Sequence, residues 1–497
     1  MLSENPAPIE RDAQGSKAVK SARSTQQPTS RPDPKSELTL RLAGLAVGLG
    51  FWVAGVLPVF AWCGPVGMLP VLYLATTEKA RSKQLAVAGL YAGLAYTIPQ
   101  LVALRMHVIT SLILLAYMVI LMIVLCIGSG FALRQKGIRA AFLLAAWFAL
   151  FDWVAVHALP IWGAAQSFAR PWSLYNEFIA FTSVTGIHGI MFIEGLLAGL
   201  AVKMIAEPNK RRFAMTAAAT ILVIAAADLA ILTRPPVDQF TIGAVGWTVN
   251  DSAAEQGCQT EEAFKNIYAA GVRLAAQQGA RLVVSGEMGF YIYKNTRAEW
   301  LARFAEVARS NDVYLAVGYY DTGIDSNRFM FIDPAGEVLC EYVKTYQTPF
   351  EPGIPGTGDL QIIEIDGVKV GGMICQDDNF TDLTRFYARQ GVGVVVLPTA
   401  DWQSVKKPHM QSSIARAVEG GYAVVRGAAN GESAVINSDG DMLARMDHFD
   451  QGPGHVVATV DIHNGGTFYG RTGEWLVALS AALLIVASVR HLLTQND

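Results

Sequence analysis

Cys375 closes the apolar run VKVGGMIC (368–375) and is followed by QDDNFTDLTRFYARQ, which begins acidic and turns amphipathic as a helix does. A thiol at a strand-to-helix junction sits beside backbone N–H groups that can receive an oxyanion, and a helix N-terminus favours the thiolate. The chemistry on offer is nucleophilic attack on a carbonyl through a covalent intermediate. Taken alone, Cys375 reads equally well as a buried, inert cysteine, so the reading depends on partners. Two other strand ends supply them. Glu287 stands just past RLVVSG (281–286), poorly placed for packing and well placed for a base at the top of a sheet. Lys344 ends EVLCEYVK (337–344), and Glu351 in the following TYQTPFEPG can pair with its ammonium. Each of these could singly be a surface charge at a strand end. Together they make a set in which Glu287 takes the thiol proton and Cys375 attacks, while Lys344 and the backbone N–H near Gln376 hold the oxyanion.

These residues need a sheet-bearing domain, and the chain contains one between apolar segments. Of 497 residues, 16% are charged and 52% apolar, against an ordinary charged share of about 25%. That imbalance points to a membrane. The net charge of −3 offers no basic surface for a phosphate backbone, so no nucleic-acid partner is expected. Five scattered cysteines exclude a dense disulfide framework and a CxxC zinc site. Residues 1–38 read as a disordered cytoplasmic tail. Residues 39–233 read as a transmembrane helical domain with spans near 42–62, 66–77, 87–104, 108–132, 139–159, 186–204 and 213–231, the second of them short. Lys79, Arg81 and Lys83, then Arg134, Lys136 and Arg139, then Lys210, Arg211 and Arg212 occupy alternate turns, which places those turns in the cytoplasm. Seven spans then deliver residues 234–472 to the outer side. Short β-branched runs alternating with amphipathic stretches make that segment an α/β domain of two stacked mixed sheets with helices outside. A C-terminal span over 473–490 returns the chain to a cytoplasmic tail at 491–497.

Other residues invite weaker readings. His409 begins a helix after Pro408 and either shapes the pocket or faces solvent. Trp402, with Tyr291 and Tyr293 beyond the Glu287 strand, lines an acyl groove or simply packs in loops. Asp401 and Glu432 lack a His partner at metal-ligand spacing, so no metal is expected, and the lack of GxGxxG or a P-loop removes the warrant for a nucleotide cofactor. The outward loop near 160–183, with Trp172, Tyr175 and Phe178, is placed to cover the mouth of a site.

With its motifs in view, the chain resembles the carbon-nitrogen hydrolase (nitrilase) superfamily, and within it the bacterial apolipoprotein N-acyltransferase family, over roughly residues 40 to 490. The resemblance rests on Glu287 in VVSGEMGF, Lys344 in YVKTYQTPFEPG, Cys375 in GGMICQDDNF, Glu351 in PFE, the run 408–441, and FYGRTGEW before the last span. It implies a polytopic helical membrane domain carrying an extracytoplasmic nitrilase-like αββα sandwich, with Glu287, Lys344 and Cys375 as the catalytic set. It further implies a monomer in the bacterial inner membrane with its catalytic domain facing the periplasm. A phospholipid would be the acyl donor, the amine of a diacylglyceryl-apolipoprotein the acceptor, and no cofactor would be needed. The sequence departs from the family pattern at Ser285-Gly286 before the glutamate, where Trp-Pro is typical, and at Gln376-Asp377 after the cysteine, where Tyr-Glu is typical. A membrane-anchored amidase using the same three residues is the competing expectation.

Overall fold

The computed structural model describes residues 34–77, 82–104, 108–159, 161–248, 257–349, 351–463 and 466–493. The expected tail up to residue 33 and the last four residues lie outside these. Seven helices lead: α1 (Pro34–Val56), α2 (Cys63–Ala75), α3 (Ser82–Leu104), α4 (Val108–Leu133), α5 (Ile138–His157), α6 (His188–Ala206) and α7 (Lys210–Leu232). Helix α1 starts inside the stretch expected to be tail, because Pro34 at the first helical position has its φ pre-set and needs no N–H acceptor. The short second span is completed by a 3-10 turn, Pro58–Phe60, so that Pro58–Ala75 reaches 18 residues. With the final helix, eight segments among the described residues are long and apolar enough to cross a membrane. Their shared core joins Val47 and Phe51 of α1 to Met68 and Leu72 of α2, Ala92 of α3 and Met122 of α4. Along α7, by contrast, Ile221, Leu222, Val223 and Leu229 are exposed, an apolar face that only a bilayer satisfies.

The α/β domain has thirteen strands in two sheets. The first runs β13 (Gly454–Ile462), β1 (Asp238–Gly246), β2 (Leu282–Val284), β4 (Tyr314–Asp321), β5 (Ser326–Ile332), β6 (Val338–Val343), with β3 (Phe290–Ile292) also pairing β4. The second runs β12 (Met442–Asp447), β11 (Glu432–Ile436), β10 (Ala423–Ala428), β9 (Val394–Thr399), β8 (Val368–Gly372), β7 (Ile362–Ile365). Each sheet is parallel at its centre (β1, β2 and β4; β8, β9 and β10) and antiparallel at its edges. Central strands covered on both faces must be apolar throughout, which is what LVV and VVVL are. Phe240, Ile242, Val284 and Phe329 of the first sheet pack face to face with Val370, Val396, Val425 and Val435 of the second. Outside the first sheet lie α8 (Ala270–Gln277) and α9 (Arg297–Asn311), and outside the second α10 (Thr381–Gln390) and α11 (Lys406–Gly420). The fold is therefore the αββα sandwich followed by α12 (Trp475–Leu493).

One expectation fails at the nucleophile. The amphipathic run after Cys375 is not one helix: Cys375–Asn379 is a 3-10 turn, Phe380 is extended (ψ 115°), and α10 begins only at Thr381. The dipole of the long helix is thus displaced from the thiol by five residues, and its effect fades within a turn.

The two halves are stitched together by hydrogen bonds from the 161–187 loop: Gln376 Nε2 donates to the Ile161 carbonyl (2.7 Å), Arg170 Nε to Gln411 Oε1 (3.1 Å), and the Ile187 N–H to Glu419 Oε1 (2.5 Å).

Candidate active site

Parallel strands of a layered sheet open their C-terminal ends toward a common crevice. Here β2, β8 and β9 do so from two sheets at once, and β6 adds its own C-terminal end. Past β8, the chain runs on through Met373 and Ile374 to Cys375, whose φ of +45° puts a non-glycine residue in the left-handed region. That turn aims the thiol back over the strand ends. Met288, next to Glu287, is held at φ +47° in the same way. Backbone strain at both positions is outweighed by the surrounding hydrogen bonds, such as Glu287 N–H to the Thr399 carbonyl (3.2 Å), which bridges the two sheets.

Five nearly inaccessible side chains, those of Lys344, Glu287, Glu351, Asn327 and Cys375, converge there. Lys344 Nζ donates to Glu287 Oε1 (2.7 Å) and to both oxygens of Glu351 (2.8 and 2.7 Å). Asn327 Nδ2 on β5 donates to Glu287 Oε1 (2.7 Å) and Glu351 Oε1 (3.0 Å), and Thr348 closes the shell through its N–H and hydroxyl on Glu351 Oε2. Cys375 adds its thiol to Glu287. Burial raises the Glu287 pKa above the ordinary carboxylate range, with Glu351 adding to the shift against the pull of Lys344. Burial works against the Lys344 cation, but Glu287, Cys375 and Glu351 outweigh it and keep it firmly protonated. Burial likewise opposes ionisation of Glu351, which Lys344 nevertheless holds below its usual value. The Cys375 thiol is pushed up to about 11 by burial and by Glu287. At neutral pH the sulfur therefore rests as a thiol beside a carboxylate of enhanced basicity, which is the pairing that general-base activation requires.

Gln376 and Asp377 lie buried in the nucleophile turn. The Gln376 N–H, second in the 3-10 turn, has no acceptor within the turn, while the Gln376 side chain reaches the membrane-domain loop. Asp377 does not face the cavity. Its carboxylate accepts from Tyr342 Oη (2.8 Å) and from the backbone N–H groups of Tyr346 (2.7 Å), Thr345 (3.2 Å) and Ile374 (3.1 Å). It locks the nucleophile turn to the chain just after Lys344, and burial pushes it up to about 7.

The cavity above these groups holds about 290 Å³. Trp162 and Ala165 from the membrane-domain loop form part of its wall, with Trp402, Val405 and Pro408 opposite. Trp162 and Trp402 meet edge-on at 6.3 Å across the mouth, and Trp402 remains 42% exposed. The loop thus does cover the mouth, although Trp172, Tyr175 and Phe178 are not the residues that do so: Trp172 turns away to donate to Glu194. Tyr291 and Tyr293 also lie elsewhere. Alternation along β3 sends Phe290 and Ile292 into the core and Tyr291 out against Tyr320 (5.7 Å between ring centroids), and Tyr293 is half-exposed beyond it.

His409 and Asp401 require the largest revision. Helix α11 begins at Lys406, so His409 lies a turn inside it and is buried. Its Nδ1 meets Asp401 Oδ1 at 2.6 Å, and Asp401 is held on its other oxygen by Arg426 (2.7 Å). Asp401 thus has the His partner that its sequence neighbourhood does not show. Atoms of Cys375, Asp401 and His409 converge within 4.8 Å, yet both Asp401 oxygens are already engaged, one by the His409 ring and the other by Arg426, and the set does not fit a metal ion. Glu432 is committed to Arg445 (3.0 Å) away from the cavity. Arg426 and Asn327 escape the sequence reading; Arg426 alone left a trace, as a charge inside the otherwise apolar strand YAVVRGA that must have a buried partner, whereas Asn327 sits between Ser326 and Arg328 and stands out in no way.

The Ser-Gly-Glu context has a steric cause. A Cβ on Gly286 would lie 2.0 Å from the Ala429 nitrogen and 2.6 Å from its Cβ, because the ends of β2 and β10 touch across the sandwich. Gly286→Ala is therefore expected to lower stability by about 1–3 kcal/mol and to displace Glu287 beside it. Thermal denaturation of the full chain in detergent, read together with turnover, checks this; an unchanged midpoint would contradict the close packing.

Residues 241–467 match the family model described as carbon-nitrogen hydrolase. An apolipoprotein N-acyltransferase of Nitrosomonas europaea is 25% identical over 382 residues, covering 70% of this chain and 73% of that one. Another from Borreliella burgdorferi is 23% identical over 194 residues, covering 34% of this chain and 37% of that one. Among solved structures, an amidase from Nesterenkonia sp. is 21% identical with a TM-score of 0.39, covering 48% of this chain and 95% of that one.

Proposed function

Residues 241–467 are a carbon-nitrogen hydrolase domain on a chain with eight helices fit to cross a membrane, and from that premise we propose that the protein is an apolipoprotein N-acyltransferase. The observation that carries this reading is the composition of the cavity wall. Cys375, Glu287 and Lys344 lie under a roof made in part by Trp162 and Ala165 of the membrane domain, so the reactive sulfur is reached beside the anchor that meets the lipid. A soluble small amide gains nothing from that placement, whereas a phospholipid and a lipid-modified N-terminus both present their polar ends there.

In the first half-reaction Glu287 takes the thiol proton and Cys375 attacks the ester carbonyl of a phospholipid. Lys344 and the Gln376 N–H stabilise the oxyanion, and collapse breaks the C–O bond as Glu287 returns the proton to the leaving alcohol. In the second, the α-amine of a diacylglyceryl-cysteine attacks the thioester. Glu287 takes a proton from the nitrogen, the C–S bond breaks, and that proton resets the thiol. Glu351 holds Lys344 in place. Every step is acyl exchange or proton transfer, so the cycle balances without a cofactor. The hydrolase domain faces the periplasm in this reading, following the positive charge in alternate turns, and the enzyme acts as a monomer in the inner membrane.

The test is an assay with purified protein, phospholipid and a diacylglyceryl-cysteine peptide. N-acylated peptide is expected, with lysophospholipid released before peptide is consumed. If the peptide stays unmodified while short amides are cleaved at a Cys375-dependent rate, the protein is an amidase instead.

A further inference from the structure

Glu287, Lys344 and Glu351 share the cavity at Cys375 with a second buried charge cluster that the mechanism above does not use. His409 on α11 meets Asp401 Oδ1 through Nδ1 (2.6 Å), and its Nε2 meets Asp378 Oδ1 (3.0 Å) and the Cys375 carbonyl (3.2 Å). These three partners are two carboxylates and a carbonyl, all acceptors. A neutral imidazole carries one N–H and could satisfy only one side, whereas the imidazolium satisfies both. Arg426 also approaches Nδ1, at 3.4 Å, but its closer bond is to Asp401 Oδ2 (2.7 Å), so it braces the carboxylate more than the ring. Asp378 is held in turn by Ser413. Cys375 Sγ lies within 4.8 Å of the ring nitrogen in this cluster.

We propose that His409 is a permanent cation rather than a base, and that it stabilises the sulfur anion of Cys375 in addition to Lys344. The assignment rests on the acyl-transfer reading for its use in the cycle. Sulfur carries negative charge twice there: when Glu287 has taken the thiol proton, and when the amine expels it from the thioester and the C–S electron pair returns to sulfur. In neither step does His409 gain or lose a proton. Burial works against the cation, and Asp401 and Asp378 outweigh it to hold His409 well above the ordinary histidine range, with Arg426 opposing and Cys375 adding to the effect. Asp401 is kept ionised by His409 and Arg426 against its own burial. Across the cavity the charged groups facing the same sulfur are Glu287 and Lys344.

Thiol alkylation measures this without any acyl donor or acceptor, so its outcome is separable from that of the N-acylation assay. The rate of iodoacetamide modification of Cys375 is followed against pH on the full chain in detergent, by peptide-resolved mass spectrometry that distinguishes the other four cysteines. His409→Gln keeps a hydrogen-bond donor and removes the charge. Its alkylation midpoint is expected about one pH unit above wild type, with an approximately tenfold slower reaction at neutral pH. A midpoint that stays in place or moves down in folded His409→Gln overturns the assignment. Asp401→Asn covers the case in which that variant does not fold. Loss of one anion lets the ring titrate within the measured range, so the profile should acquire a second inflection, and a single wild-type inflection overturns the assignment equally.

Discussion

Replacing Cys375 by Ser should abolish turnover, with a loss on the order of 10⁴–10⁶-fold. A hydroxyl is far less acidic than a thiol, and Glu287, the proposed base, is tuned by its burial for a proton from sulfur. The substitution leaves the rest of the site in place. Serine retains the Cβ that sits at φ +45°, and the hydrogen bonds that hold the turn come from Asp377 and from backbone, not from the sulfur. Folding and detergent melting behaviour should therefore match wild type, which separates a chemical loss from a structural one. Intact-mass measurement after incubation with phospholipid should show one acyl chain on wild type and none on Cys375→Ser. An acyl group found elsewhere in wild type, with Cys375 free, would end the thioester mechanism.

The second large effect is expected at Lys344, and it should strike stability and chemistry together. Its ammonium touches Glu287 and both oxygens of Glu351, and all three side chains are nearly inaccessible. Lys344→Met preserves the apolar stem and leaves two buried carboxylates sharing little more than Asn327. Breaking a buried pair in this way costs about 3–5 kcal/mol. One carboxylate escapes the penalty by binding a proton, and since burial and Glu351 already raise Glu287, Glu287 is the one that should do so. The base is then protonated at the pH where it is needed, and the oxyanion has lost a donor. A fall in activity of at least 10³-fold is expected. Adding Glu351→Gln removes the like charge and should recover part of the lost stability while recovering no activity. Denaturant midpoints for the two variants, alongside thioester trapping, test both halves; wild-type acylation in Lys344→Met would remove lysine from the mechanism.

Why some of this could be read from the chain and some not is visible residue by residue. Glu287 and Cys375 each lie just past a central apolar strand, and parallel strands bring their C-terminal ends together whatever the intervening sequence; Lys344 ends the half-exposed edge strand β6, which delivers its C-terminal end to the same crevice. The membrane spans were legible for a related reason: length, hydropathy and the alternation of Lys and Arg are local properties. The Asp401–His409 pair was not, because it depends on where α11 begins. Three residues of difference in that start carry His409 from the solvent-facing end of a helix into a charge cluster. The break at Phe380 escaped for another cause. Amphipathic spacing continues across it, and only the hydrogen bonds of Asp377, made to residues more than thirty positions away, show that the turn belongs to Lys344's neighbourhood rather than to α10. Tyr291 and Tyr293 look like groove residues by proximity in sequence, but a strand's two faces diverge within one residue.

Gln376 Nε2 holds the Ile161 carbonyl, and two residues along, Gly163 (φ +51°) packs so closely on the Asn379 carbonyl that a Cβ there would stand 2.4 Å away. The nucleophile turn and the 161–187 loop of the membrane domain are thus one surface. The domain that carries the chemistry is consequently not a head on a stalk that could be cut free and studied in water. Excised, it would keep its thiol, its base and its ammonium, but the wall supplied by Trp162 and Ala165 would become an opening. Water would then reach the thioester as readily as any amine. What separates a transferase from a hydrolase in such a molecule would be the neighbour that shields the intermediate, not the residues that form it.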